Sequence, residues 1–300
     1  MATLYTQQSS NRFKTFGLLT GFFLFIIAFG FVLSQYFGNS MIVMIAVAVA
    51  LVSNVVSYWY SDSIALSLSH AQPLSFEADP ELYRIVENLS ITAGLPMPRL
   101  YLINDSSPNA FATGRDPKHA AIAVTSGLRA LLDRSELEGV IAHELSHIGN
   151  RDILVSTVVV VMAGVIAIAS DMAMRAIFWG GGRGGDRGKN PIIYIIGLAF
   201  ILLSPIAATI IRMSVSRKRE FLADATGALM TRYPEGLASA LRKISGSKPL
   251  QFANNATAHL FISNPFGARG GLGISRLFMT HPPVEDRIAA LLGERASPNV

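Results

Sequence analysis

Residues 141–152 read IAHELSHIGNRD. His143 and His147 stand four apart, so on a helix their imidazoles project side by side from one face. Two neutral imidazoles so placed can fill two positions of a tetrahedral zinc site. Glu144, next to the first histidine, would reach a water at that site. Zinc brings the pKa of such a water towards about 7, so a carboxylate can take its proton and hand it to a leaving amine. The H-E-x-x-H spacing is that of zinc proteases, although as a bare pattern it also occurs in pairs of surface histidines. A third ligand is offered by SRKREFLADATG, residues 216–227. Glu220 and Asp224 are again four apart and share a helix face. A carboxylate is a usual third partner to two histidines. With Glu220 in that role, Asp224 is free to accept the outer N–H of a ligating histidine and fix its orientation. The competing reading is a solvated charge cluster in which Arg217, Lys218 and Arg219 neutralise both acids. Phe221, Leu222 and Ala225 argue instead for a buried helix.

The elements that must position these residues are partly readable. Ser135 and Glu138, three apart, predict a capping box that opens the histidine helix. Leu137, Val140, Ile141, Leu145 and Ile148 give it an apolar face, and Gly149 and Asn150 are stop candidates. Upstream, Pro80–Ala93 carries helical spacing at Leu82, Ile85, Val86, Leu89 and Ile91 and closes at Gly94. Arg99–Ile103 and Ala120–Thr125 are short β-prone runs, with NAFATG, residues 109–114, between them.

Composition points to lipid. The 300 residues are 51% hydrophobic and 15% charged, against roughly 25% charged in an average soluble domain. No carboxylate, lysine, arginine or histidine occurs between Lys14 and Asp62. A bilayer core needs about 20 apolar residues per helix, so this stretch holds two spans, 16–33 and 41–60, joined at SQYFGNS. A signal peptide is the weaker reading, because the apolar run is too long and a second follows at once. Two more apolar segments, Ile153–Ser170 and Pro191–Ile211, flank the glycine-rich DMAMRAIFWGGGRGGDRGKN, expected to be a flexible loop. That loop lacks the spacing of a phosphate-cradling motif. The chain thus divides into a membrane hairpin at 1–60, a first part of a globular domain at 61–152, an inserted apolar hairpin at 153–211, and a second part at 212–300.

Arg12 and Lys14 place the N-terminus in the cytoplasm, and two spans return the chain there. The Gly-rich loop carries Arg175, Arg183, Arg187 and Lys189 against Asp171 and Asp186, the wrong bias for an outside loop. The inserted hairpin therefore either packs against the domain or dips into the bilayer without crossing, with a spanning or deeply inserted hairpin as the preferred reading. The metal helix and the apolar run behind it are expected to be near-continuous, with residues 149–152 as the joint. The chain has no cysteine, which excludes disulfides and thiolate metal sites. Its net charge of +5 is scattered, with no basic stripe interleaved with aromatics to suggest nucleic acid. No feature specifies an oligomeric state.

Taken together, NAFATG at 109–114, HELSH at 143–147, SRKREFLAD at 216–224 and FMTHPPVEDRI at 278–288 resemble the HtpX-type membrane zinc metalloproteases of peptidase family M48, relatives of the Ste24-type CAAX proteases. The resemblance covers nearly the whole chain, and the order of two apolar segments, HExxH, two apolar segments and ExxxD also matches. It implies a mainly α membrane protein: transmembrane helices plus a zincin, gluzincin-like α+β metalloprotease domain with a small β-sheet. His143, His147 and Glu220 would hold one Zn2+ per chain, and Glu144 would be the general base. Asn109, Ala110, Phe111, Ala112 and Thr113 would line the substrate channel, where an extended peptide adds as a strand. His281, with Arg287 six residues on, would lie near the cleft and could stabilise an oxyanion; a turn residue before two prolines is the plainer reading of His281. His70, His119 and His259 carry no partner spacing. The implied activity is endoproteolysis of damaged or misassembled membrane proteins at the bacterial cytoplasmic (inner) membrane, in quality control under stress. A catalytically silent scaffold with a relic zinc site, a non-proteolytic zinc hydrolase and a prenyl-protein protease are the alternatives.

Overall fold

The computed structural model describes residues 4–179, 217–251, 257–266 and 282–294. Helices α1 (Leu4–Phe37), α2 (Met41–Trp59) and α3 (Ser61–Leu68) come first, then strand β1 (Ala71–Pro73), helix α4 (Pro80–Ala93) and strands β2 (Arg99–Ile103), β3 (Ala110–Gly114) and β4 (Ala120–Thr125). Helices α5 (Ser126–Leu131), α6 (Arg134–Gly149), α7 (Asp152–Trp179), α8 (Arg217–Thr231), α9 (Pro234–Ser245) and α10 (Val284–Leu292) follow among the described residues. The fold is mostly helical, around one small mixed sheet. Segment 191–211 and residue 281 lie outside the described residues, as does most of the glycine-rich stretch; its first nine residues, 171–179, continue α7 as helix.

Local chemistry sets the helix ends. The Asp79 side chain accepts the Leu82 N–H to open α4, and Gly94, at φ +64°, closes it, a left-handed position that glycine takes without strain. In α6 the cap lies two residues before the expected one. Asp133 accepts the Glu136 N–H, and Glu136 reaches back to the Asp133 N–H. Ser135 instead donates to Asp133 and Glu138 pairs with Arg134. Aspartate caps as well as serine does, and the earlier start lets Glu136 turn inward.

The sheet runs β1-β2-β4-β3, with β2 parallel to β4 and β3 antiparallel to it, Ala110 opposite Val124. Strands β3 and β4 are buried throughout because both of their faces are covered. Ala110, Ala112, Ile122 and Val124 face the core that Val140, Ile141, Leu145 and Ile148 of α6 share with Leu82, Ile85 and Val86 of α4. Phe111, Ala121 and Ala123 face the other way, onto Ala65 and Leu66 of α3 and Val160 of α7. β3 is an edge strand, and α6 crosses beside it.

Helices α1 and α2 form an antiparallel pair turned at Gly38, where φ is +64°. They close on each other where Gly30 meets Ala46; a Cβ on Gly30 would fall 2.2 Å from the Ala46 Cβ, the small-residue contact typical of membrane helices. α2 has 19 residues at mean hydropathy 2.3 and is largely unburied, long enough at ~1.5 Å per residue to cross the hydrocarbon. It ends in Tyr58, Trp59 and Tyr60, and the Arg115 guanidinium sits 4.8 Å over the Trp59 ring. Aromatics and a cation at that point are the pattern of a membrane–water boundary. The metal helix and the next segment are not near-continuous: α7 leaves α6 at 84°. The bend needs Arg151 at φ +58°. The first turns of α7, through Val161, are buried on nearly every side against α1, α2, α3 and β3, as expected of an all-round apolar helix inside a protein.

Glu136 ties this scaffold together. Besides Asp133 it accepts from Ser239 at 2.7 Å and from Lys243 at 2.6 Å, both on α9. Its burial favours the neutral acid, but these donors outweigh it and hold the carboxyl below its ordinary 4.5. Glu136→Ala is expected to cost about 1–3 kcal/mol, the loss of buried charge-assisted hydrogen bonds, and to lower the Tm in detergent. A depressed carboxyl pKa stabilises above the unfolded value and ceases to do so as pH falls through the folded one. The wild-type advantage over Glu136→Ala should therefore be full at pH 7 and shrink below pH 4.5.

Candidate active site

The two histidines emerge from the buried middle of α6, which places them in the protein rather than on its surface: His143 is 1% exposed. Helix α8 packs directly across them. Its Gly227 makes this possible, since a Cβ there would lie 3.0 Å from the His143 backbone nitrogen. Glu220, Asp224 and Gly227 share one face of α8, so close packing at Gly227 delivers both carboxylates to the imidazoles. Arg219, on the neighbouring face, turns to Asp152 at 3.3 Å. The buried member of the basic triplet is thus paired with Asp152.

The cluster has the dimensions of a metal site. His143 Nε2 and His147 Nε2 are 3.2 Å apart. Glu220 Oε1 lies 3.6 Å from His147 Nε2, and Oε2 lies 3.9 Å from His143 Nε2. Ligand bonds of about 2.0–2.1 Å around a tetrahedral ion put neighbouring ligand atoms roughly 3.3–3.4 Å apart. Both imidazoles also have their other nitrogen directed at a carboxylate. His143 Nδ1 is 2.8 Å from Asp224 Oδ1, and His147 Nδ1 is 3.2 Å from Asp152 Oδ2. With Nδ1 carrying the proton, both Nε2 lone pairs point at the same spot, as metal ligation requires. His143, His147 and Glu220 could thus hold a metal ion.

Electrostatics agree with a cationic centre. Burial pulls His143 down to about 4, against Asp224. Burial would also lower His147, but the Asp152 hydrogen bond and the charges of Glu220, Asp152 and Glu144 outweigh it and hold the group at about 9. Glu144 is pushed up to about 7, chiefly by burial and also by Glu220, with His147 opposing. A carboxylate with that affinity takes and returns a proton near neutrality.

Asp224 is itself clamped. The Arg287 Nε donates to its Oδ2 at 2.8 Å and Nη2 to its Oδ1 at 2.7 Å, while Nη1 donates to the Ile262 carbonyl at 3.2 Å. Arg287 is 1% exposed, a buried charge tolerable only because it is fully paired. Sequence reasoning missed Asp152. Its signal was a carboxylate five residues past the second histidine, readable in sequence only as part of the joint before the apolar segment. It also missed His259, which is buried on the wall of the pocket holding the three ligands, its Nε2 2.9 Å from the Ser156 carbonyl. His281, expected near the cleft, lies outside the described residues.

Strand β3 runs beside this pocket, with Ala112 in its wall and the Ala112 N–H directed at Glu144. The outward-facing groups of the strand have partners from the same chain. Ile262 donates to the Ala110 carbonyl at 2.9 Å, and the Gly114 N–H meets Thr157 Oγ1 at 3.4 Å. The Asn109 side chain holds both backbone groups of Ser263, and Phe111 meets Phe261 edge-on.

A histidine-rich helix supplying two imidazoles and a glutamate, a second helix supplying a carboxylate, and an edge strand alongside define a protein of the metallopeptidase class. Residues 77–295 match peptidase family M48, and the chain belongs to that family. It is similar to proteins named "Protease HtpX homolog" in Thermoanaerobacter pseudethanolicus, at 48% identity over 296 residues covering 96% of this chain and 97% of the relative. The same name is carried by a relative in Tropheryma whipplei, at 47% identity over 289 residues covering 96% and 97%. Its fold resembles the crystal structure of S. mikatae Ste24p, with TM-score 0.50, 18% identity, and coverage of 96% of this chain and 67% of that one.

Asp224→Ala removes the partner of His143 and strands Arg287 in the core. Breaking a buried pair in this way is expected to cost about 3–5 kcal/mol, read as a lower Tm, and loss of the Nδ1 partner to weaken metal binding ~10–100-fold, read by chelator competition.

Proposed function

We propose that this protein is a zinc-dependent endopeptidase embedded in the bacterial cytoplasmic (inner) membrane by several passes, with its catalytic domain facing the cytoplasm. Residues 61–152 and 212–300 form one protease domain, residues 1–60 a transmembrane hairpin, and 153–211 an apolar hairpin inserted between the two parts. His143, His147 and Glu220 hold one zinc ion, Asp224 and Arg287 support them, Glu144 is the general base, and β3 is the rail on which the substrate lies.

The observation that carries this reading is the placement of Glu144. It is buried one residue from a metal ligand and beside the edge-strand N–H of Ala112. A merely structural zinc centre has no use for a poised carboxylate there. When bound, zinc would supply Lewis acidity to a water and to the scissile carbonyl. Glu144 takes the proton of the attacking water and delivers it to the leaving amine. The edge of β3 orients the peptide: Ile262 and Ser263 already lie along Ala110 and Asn109 as a bound backbone would. Apolar Ile153, Leu260 and Ile262 line the pocket and exclude water.

Geometry also supports membrane proteins as substrates. β3 leads from the metal ligands at Ala112 to Arg115, which stacks on Trp59 at the end of α2. A polypeptide leaving the bilayer would meet that end of the strand first. The biological role that follows is removal of misfolded or damaged membrane proteins in quality control.

Purified in detergent with zinc, the wild type should cleave an unfolded polypeptide. Glu144→Gln should lower kcat by at least ~10²-fold, the scale of general base catalysis, without releasing metal. Undiminished cleavage by Glu144→Gln would remove the base from the mechanism. Chelation should abolish cleavage and added zinc restore it; activity that survives metal removal would overturn the zinc reading.

A further inference from the structure

The carboxylate that orients His147 is held in turn by the N-terminal membrane helix. Asn11, on α1, lies 141 positions before Asp152, and its Nδ2 donates to Asp152 Oδ1 at 2.6 Å. The same nitrogen donates to the Asn150 carbonyl at 3.0 Å. Both hydrogens of one amide are thereby spent on the joint between the metal helix and α7: one on the residue that caps α6, the other on the first residue of α7. Between those two stands Arg151 at φ +58°, a conformation costly for a residue with a Cβ unless its surroundings impose it. Asn11 is 1% exposed, although it sits on a helix whose next turns present Phe13 and Phe16 outward, at 81% and 65% exposure. A polar amide buried in such a helix needs partners, and these are the partners it has.

We propose that Asn11 is a positioning residue of the metal site, so that α1 is a component of the active centre as well as an anchor. Asp152 can orient an imidazole only if its own carboxylate is fixed. Asn11 and Arg219 share its Oδ1, at 2.6 and 3.3 Å, which leaves Oδ2 for His147 Nδ1 at 3.2 Å. Arg219 is one residue from Glu220, so the two donors come from opposite sides: one from the membrane helix, the other from the helix that brings the third ligand. The arrangement parallels the other histidine, where Arg287 holds Asp224 and Asp224 faces His143. Without the amide, the carboxylate can rotate towards Arg219, His147 loses its preferred tautomer, and the Asn150 carbonyl is left buried without its donor.

This inference rests on His143, His147 and Glu220 holding the metal, and zinc binding to the full-length chain in detergent micelles tests the two separately. Zinc alone is the probe, read by competition with a chromogenic chelator. Glu220→Ala must weaken zinc binding; if it does not, the site assignment itself fails. Given that loss, Asn11→Ala and the near-isosteric Asn11→Leu, which keeps the bulk and removes the donor, should each raise the zinc Kd about tenfold, within the ~10–100-fold expected of ligand-orienting groups. They should lower kcat with little change in KM. In an Asp152→Ala background Asn11→Ala should have no further effect on zinc affinity, because it acts through that carboxylate. Thr15→Ala removes a buried hydroxyl that, among the described residues, bonds within α1 to the Asn11 carbonyl, and should leave zinc affinity unchanged. Wild-type affinity in Asn11→Leu, an undiminished effect of Asn11→Ala without Asp152, or an equal loss in Thr15→Ala would each overturn the proposal.

Discussion

Two imidazole nitrogens 3.2 Å apart, each with a carboxylate oxygen within 4 Å, converge on one point where a cation would satisfy all of them at once. Nearly every unusual feature of the fold serves to create that arrangement and keep it dry. The helix carrying the histidines is buried along most of its length, so their Nδ1 atoms cannot turn to water and must find protein acceptors. Asp224 and Asp152 are those acceptors. Each is a buried anion that needs its own donor, which accounts for Arg287 on one side and for Arg219 and Asn11 on the other. The charges alternate outward from the metal position, so no shell is left uncompensated. Glu144 shares the burial but lacks such a clamp, which is why its proton affinity rises instead.

The same residues organise the protein mechanically. Gly227 lets α8 approach the His143 backbone, and Glu136 joins the start of α6 to α9. Asp152 opens α7 at the point where the chain turns through 84°. Catalytic geometry and the docking of the membrane helices are therefore settled at one joint. The first turns of α7 are as apolar as α2, yet they are buried inside the protein while α2 is largely unburied.

Much was legible in the linear order of residues. The i, i+4 pairs His143/His147 and Glu220/Asp224 depend only on helical periodicity, so their shared faces could be read without a fold. The strands 99–103 and 120–125 and the close of α4 at Gly94 were equally local, set by β-branched runs and a left-handed glycine. The capping box was read two residues late because Ser135–Glu138 and Asp133–Glu136 satisfy the same spacing rule. Only the inward turn of Glu136 towards Ser239 and Lys243 distinguishes them. His259 looked idle because nothing near it in sequence pairs with it, while its neighbours in space, Ser156 and the metal pocket, lie a hundred residues earlier.

What the chain encodes locally is the set of groups: two imidazoles and three carboxylates, each presented on a helix face by a periodicity that needs no partner. Which carboxylate meets which nitrogen is a matter of packing between elements far apart in sequence. Glu220 reaches the histidines because Gly227 lacks a side chain, Asp224 is held by Arg287 from 63 positions away, and Asp152 by Asn11 from 141. Such contacts follow from burial, which forces every charge in the core to find an opposite one, and burial exists only once the helices have closed on each other.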